Sequence, residues 1–294
     1  MTRYHIVEPL RSGGMAHIYI AWDTALQRQV AVKRLKSELL TDSTAVEAFH
    51  AEARTLAGLR HPNIVEVYDA YLDAPQPYLV MELVQGQPLS QLMPLPPQQA
   101  VDYALQIAAA LAHSHANGVI HCDIKPDNIM VDQAGCVKLL DFGISGQDGW
   151  CEDGAVLGSP HYIAPERVLG TVVTAAADIY SLGIVIFQMI TGVVPFDGPD
   201  ASTVAQQHVT ERVPLMSEVI LSVPLTLERV VAKATAPSAI ARYKDGAAMY
   251  AALIESRYEL AGLRPPAPPT HELPITSPER LWEIPTSPIP IMRG

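Results

Sequence analysis

Two short stretches of this chain hold residues whose types and spacing could do chemistry together. The first, His121-Cys122-Asp123-Ile124-Lys125-Pro126-Asp127-Asn128, places a carboxylate, an ammonium and a side-chain amide within a few positions of each other. The second, Asp141-Phe142-Gly143, adds another carboxylate eighteen residues after Asp123. A carboxylate can take the proton of an attacking hydroxyl, and carboxylate and amide oxygens are the hard ligands that Mg²⁺ prefers. Between the two stretches, Ile129-Met130-Val131 and Val137-Lys138-Leu139 read as short strands that would bring both loops to one place.

In this order and spacing the two stretches resemble the catalytic loop and the magnesium-binding loop of the protein kinase superfamily. The resemblance implies phosphoryl transfer from ATP, a reaction that depends on positioning and charge neutralisation more than on covalent help. It implies Asp123 as the acceptor or orienter of the hydroxyl proton, and Lys125 as the charge that balances the moving phosphoryl group. Asn128 and Asp141 become the ligands of Mg²⁺, or of Mn²⁺ in its place.

Upstream motifs agree with that family. Val30-Ala31-Val32-Lys33 resembles the strand whose lysine contacts the α- and β-phosphates, and Glu52 stands where its ion-pair partner is expected. Met81-Glu82-Leu83-Val84 looks like the hinge, with Met81 as gatekeeper and the backbone from Glu82 to Val84 meeting the adenine edge. Ile18, Ala31 and Met130 would sandwich the base, and Ser12, Gly13 and Gly14 would cover the phosphates. Leu56, Val67, His121 and Phe142 would stack as a hydrophobic column between lobes. Downstream, Ala164-Pro165-Glu166, Asp178 and Arg242 match structural positions: Glu166 pairing with Arg242, and Asp178 bracing the catalytic loop. The likeness covers about residues 4–256. It is nearest to bacterial Hanks-type serine/threonine kinases, and Lys125 two residues after Asp123 points to serine/threonine substrates.

Two departures stand out. The glycine-rich loop reads Arg11-Ser12-Gly13-Gly14-Met15-Ala16-His17-Ile18, so two of its three usual glycines are replaced by Arg11 and Ala16. Cys122 takes the place of an arginine that normally receives a phosphorylated activation-loop residue, and cysteine cannot do so. Ser145 is the only serine or threonine between Gly143 and Gly158. Control by activation-loop phosphorylation is therefore not expected. His113, His115 and His121 have spacings that do not converge on one metal ion, and His115 reads as a packing residue.

The elements that must position these residues follow from pattern. Residues 4–83 read mainly as strands, such as Tyr78-Leu79-Val80-Met81, with one helix over 44–59 whose apolar positions are Val46, Phe49, Ala53 and Leu56. His61-Pro62 ends that helix, because the residue before proline is pushed out of the α region. From about residue 98 the signals turn helical, over 100–115, 178–190 and 227–234. The fold class implied is α+β, a two-lobed protein kinase fold, with a mostly β lobe over 1–83 and a mostly α lobe over 84–260. Residues 261–294 are rich in proline and read as a flexible tail. Within it, Thr276, Ser277, Thr286 and Ser287 are candidates for autophosphorylation or for partner docking.

Composition sets the outer bounds. The chain has 294 residues, 49% of them hydrophobic, and a net charge of −11. That charge offers no basic footprint for nucleic acid. Cys122, Cys136 and Cys151 lack metal-ligand spacing and fit a reducing, cytoplasmic setting. The N-terminus lacks the apolar run of a signal peptide, and the longest apolar stretch, near Ile184 to Val194, is too short to span a bilayer. The expected partners are ATP and protein substrates. A competing reading is a pseudokinase or binding scaffold with a proline-rich docking tail.

Overall fold

The computed structural model describes residues 3–142 and 159–263. The β-branched and aromatic runs near the N-terminus form a five-stranded antiparallel sheet. Its strands are β1 (Tyr4–Ser12), β2 (Ala16–Asp23), β3 (Arg28–Leu35), β4 (Val67–Tyr71) and β5 (Tyr78–Met81), in the order β1-β2-β3-β5-β4. β1 lies at the edge, and only Tyr4 of it is buried. An edge strand can accommodate Pro9, which lacks an N–H for the ladder. The β1–β2 register slips between Ile6 and Glu8 and again between Pro9 and Arg11.

One helix, α1 (Ser43–Gly58), interrupts this sheet in sequence. Asp42 caps it by accepting from the N–H groups of Thr44 and Ala45, which satisfies donors with no partner inside the helix. Its buried face, Ala45, Phe49, Ala53 and Leu56, includes three of the four apolar positions expected. After α1 the chain meets the second half of the molecule directly. The Val65 N–H donates to the Leu139 carbonyl at 3.0 Å, and the Leu139 N–H donates to the Asn63 carbonyl at 2.8 Å. This two-way pairing ties the segment below α1 to the strand that precedes Asp141.

The second half opens with β6 (Gly86–Pro88) and α2 (Pro97–Ala116), then β7 (Ile129–Asp132) and β8 (Val137–Leu139), which form a small sheet in the order β6-β7-β8. The helices α3 (Pro165–Val168), α4 (Ala175–Thr191), α5 (Ala201–Thr210), α6 (Leu225–Ala234) and α7 (Gly246–Leu260) complete it. α2 begins three residues earlier than its apolar pattern suggests. Pro97 occupies the first turn, where a missing N–H costs nothing. α4 is the central buried helix and stops at Gly192, whose φ of 80° gives a left-handed cap. Gly246 starts α7 hard against α2: a Cβ there would sit 2.3 Å from the backbone nitrogen of Ala112. No helix among the described residues is long and apolar enough to cross a membrane.

One ion pair locks the far side of the helical lobe. Arg242 donates to both carboxylate oxygens of Glu166, at 2.8 and 2.9 Å, and to the carbonyls of Ala176, Ala236 and Pro237. A guanidinium has five N–H groups, and all five are engaged. Removing the cation would leave Glu166 buried without a partner, a loss of about 3–5 kcal/mol. Arg242→Met is therefore expected to lower unfolding stability by about that amount in urea titrations, with Arg242→Lys restoring only part of it because an ammonium cannot reproduce the fork.

Candidate functional site

The cleft between the two lobes collects the chemistry-bearing residues. Lys33 comes from β3, opposite Ile18 on β2 and Leu79 on β5. Its Nζ lies 2.5 Å from Glu52 Oε1, on α1, and 2.8 Å from Asp141 Oδ1, beyond β8. Burial opposes the charge on Lys33, but the two carboxylates more than offset it, so the ammonium is held protonated. Burial and the like charge of Asp141 push Glu52 up, while Lys33 pulls it down. Burial would also raise Asp141, but the charge and hydrogen bond of Lys33, with further help from Arg11 and His121, bring it below the usual carboxylate range.

Asp123 sits across the cleft on the loop after α2. Lys125 Nζ donates to Asp123 Oδ2 at 2.6 Å, and Asn128 Nδ2 donates to the same oxygen at 2.7 Å. Both bonds fall on Oδ2, which leaves Oδ1 outside this network. The Asn128 amide also donates to the Asp123 carbonyl at 3.0 Å, so its nitrogen is committed and its oxygen is turned away from Asp123. Ser90 Oγ anchors the neighbouring turn by donating to Asp127 Oδ1 at 2.7 Å.

The loop's backbone is held from beneath. Asp178, from α4, accepts the N–H of His121 at 2.7 Å and of Cys122 at 2.8 Å. His115 Nε2 lies 2.9 Å from the same carboxylate, while its Nδ1 accepts the N–H of Gly246 at 3.1 Å. His115 therefore does more than pack, since it joins α2, α4 and α7. Burial works against the charge on Asp178, yet the His115 hydrogen bond and the nearby imidazoles hold its carboxyl below the ordinary range. His121 is fully buried, and burial lowers its affinity for a proton. As a neutral ring it accepts the Asp123 N–H on Nδ1 and donates from Nε2 to the Leu140 carbonyl. It also packs on Phe142, with ring centroids 4.4 Å apart. One imidazole thus couples the Asp123 loop to the Asp141 loop.

Cys122 and Asp141 both have positive φ, 63° and 46°, an uncommon conformation away from glycine. Burial pushes the Cys122 thiol up to about 12, so it carries no thiolate near neutral pH. Arg167, just after Glu166, donates to the Cys122 carbonyl. Sequence spacing gave no sign of that contact, nor of the destination of Arg11, whose Nη1 donates to the Asp127 carbonyl at 3.1 Å. Ser145 and the rest of residues 143–158 lie outside the described residues, as do Thr276, Ser277, Thr286 and Ser287.

The stretch expected to meet adenine and the loop expected to cover the phosphates are also in view. Glu82 uses its N–H on the Glu66 carbonyl at 2.8 Å, and its carboxylate takes Lys138 Nζ at 2.8 Å. Ala31 and Met81 are buried, while Ile18, Met130 and Val84 are partly exposed. Ser12 ends β1 opposite His17, and the Gly13 N–H closes the turn on the Ala16 carbonyl at 2.9 Å. Neither Gly13 nor Gly14 takes up the positive φ that glycine permits.

A divalent cation fits the donors present only in part from the protein side. Among the described residues no group of three or more His, Cys, Asp or Glu converges on one point. Asn128 and Asp141 offer two oxygen-bearing side chains, which suits Mg²⁺ because it usually keeps water and phosphate oxygens as most of its ligands. His113 stacks on His61 at 5.4 Å, so the three histidines are engaged separately.

Comparison with known proteins completes the picture. The profile of the protein kinase domain matches residues 4–241. Serine/threonine-protein kinase PrkC of Bacillus subtilis is 39% identical over 256 residues, covering 85% of this chain and 40% of that protein. Serine/threonine-protein kinase PknB of Mycobacterium leprae is 40% identical over 278 residues, covering 90% of this chain and 44% of that protein. This chain thus spans well under half the length of these curated relatives. Among solved structures, the PknI kinase domain of Mycobacterium tuberculosis aligns with a TM-score of 0.69 at 25% identity, covering 86% of this chain and 96% of that one. With a family profile over most of its length, and two lobes that superpose on a solved kinase domain, this chain belongs to the protein kinase family and has its α+β fold.

Proposed function

We propose that this chain is a serine/threonine protein kinase that transfers the γ-phosphoryl group of ATP to a hydroxyl of a protein substrate. The observation that carries the reading is the convergence of two charge networks in one cleft. Asp123 is held by Lys125 and Asn128, Lys33 is paired with Glu52 and Asp141, and His121 ties the two loops together through the Asp123 N–H and the Leu140 carbonyl. The relatives at about 40% identity carry serine/threonine kinase names, which supports the same reading.

The roles follow from placement. Adenine would lie between Ile18 and Ala31 above and Met130 below, with Met81 at the back of the pocket. With the Glu82 N–H committed to Glu66, the Glu82 carbonyl and the Val84 N–H are the hinge groups offered to the base edge. Lys33 would hold the α- and β-phosphates, and Ser12, Gly13 and Gly14 would cover them. Mg²⁺, or Mn²⁺ in its place, held by Asn128 and Asp141, would supply neutralisation of phosphate charge. The substrate oxygen then bonds to the γ-phosphorus as the bond to the β–γ bridging oxygen breaks. Its proton passes to the Asp123 carboxylate, and ADP leaves with the electron pair. Lys125 balances the charge on the moving group.

Regulation is proposed to bypass the activation loop. Cys122 offers no cation for a phosphate, and the carbonyl of that residue is instead held by Arg167. Tyr162, further along the chain, is held by groups that need no phosphate: Ser181 Oγ donates to its carbonyl at 2.7 Å, and its hydroxyl donates to Gln188 at 2.6 Å. The setting proposed with this reading is cytoplasmic, with ATP and protein substrates as partners.

Two tests separate the readings. Purified chain with labelled ATP and Mg²⁺ is expected to phosphorylate itself or a basic protein, and Asp123→Asn is expected to lower incorporation by about 10²–10⁴-fold. Absence of incorporation in a folded sample, with Mg²⁺ and with Mn²⁺, would favour the scaffold reading. Mass spectrometry of the active preparation is expected to find phosphate on one or more of Thr276, Ser277, Thr286 and Ser287. Recovery of those peptides only in unmodified form would remove the tail from the list of substrates.

A further inference from the structure

Arg11 stands where a glycine is expected, and its side chain has a definite destination. The β1 register slips between Pro9 and Arg11, and such irregularities re-aim side chains beside functional sites. From there the guanidinium crosses the mouth of the cleft to the Asp127 carbonyl, 3.1 Å away, in the turn that also contains Lys125 and Asn128. It lies close enough to Asp141 to contribute to that carboxylate's lowered proton affinity.

The loop it belongs to has lost part of its usual capacity. A glycine-rich loop binds phosphate by close approach of backbone N–H groups. Here the Gly13 N–H is turned inward to the Ala16 carbonyl at 2.9 Å, and Ala16 is itself buried. A long guanidinium needs no such close approach. Its bond to Asp127 uses one of five N–H groups, and the partner is a neutral carbonyl. A phosphate oxygen would be a charged partner, and charge-assisted bonds are roughly twice as strong as neutral ones.

The geometry points to Arg11 as a phosphate-binding residue of this cleft, moving from the Asp127 carbonyl to the terminal phosphate of a bound nucleoside triphosphate. Resting on the reading of the cleft as an ATP site, it makes the arginine a replacement for loop amides at the phosphate end nearest Asp127, Asn128 and Asp141. The arginine would then distinguish a triphosphate from a diphosphate, which lacks the group it holds.

The test is nucleotide binding by calorimetry, with Mg²⁺, comparing a non-hydrolysable ATP analogue with ADP on the full chain and on Arg11→Gln. Arg11 is exposed, so the variant is expected to keep the parent melting temperature, which serves as the folding control. The expected result is a loss of about tenfold in affinity for the analogue and less than about twofold for ADP, with Arg11→Lys intermediate. Equal losses for both nucleotides, no loss, or tighter binding by Arg11→Gln would overturn the assignment. Tighter binding would mark Arg11 instead as a latch that occludes the cleft. A parent chain that binds both nucleotides, with an unchanged variant, would sink this inference alone. A parent chain that binds neither would remove the ATP-site reading together with it.

Discussion

Asp178 lies inside the helical lobe with a side chain only 1% exposed, and its carboxylate is met by two backbone N–H groups and one imidazole rather than by a lysine or arginine. Charge-assisted bonds of this kind are what make a buried carboxylate tolerable. Their effect is to hold His121 and Cys122 at fixed positions, with Cys122 in a left-handed conformation that a cysteine would not adopt unaided. The loops that carry Asp123 and Asp141 both connect to that segment. Asp123 is the next residue, and His121 passes the constraint sideways to Leu140, one residue before Asp141. α4 itself is almost wholly buried, so the anchor rests on a helix packed on nearly every side.

The second organising element is a charge shared across the lobes. Lys33 belongs to the sheet, Glu52 to α1 and Asp141 to the loop after β8, and one ammonium joins them. Two carboxylates thus share one ammonium in a partly buried place. The pairing of residues 63–65 with Leu139 keeps α1 at the right distance for this arrangement. A strand-like bond and an ion pair therefore do the same work at two heights in the cleft.

Much of this was legible from sequence because the motifs depend on short spacings within loops. Asp123, Lys125 and Asn128 fall together through one tight turn, and β7 and β8 were evident from their apolar runs. The helix ends were less legible. The apolar pattern marks a helix only from residue 100, although Pro97 is the first residue of α2. α7 is rich in alanine and has few residues that must be inside, so it had no clear apolar stripe to announce it. Long-range partners were out of reach. Nothing near Arg11 indicates a bond to a carbonyl 116 positions away, and nothing near Arg167 indicates Cys122. His115 looked like a packing residue because its two partners come from other helices.

The saturated guanidinium of Arg242 has a consequence for how such a chain can drift. Its five donors serve a carboxylate and the carbonyls of Ala176, Ala236 and Pro237. Carbonyls cannot be removed by substitution, so a change at Glu166 alone cannot release the arginine from its duties. Exchange of this pair requires a joint replacement that also fills the space above the Tyr180 ring, where the guanidinium lies 4.7 Å from the centroid. Neighbouring surface positions, such as Ile240 at 96% exposure, stay open to change. The cost of a change in this corner is thereby set by where carbonyls point as much as by which side chains meet.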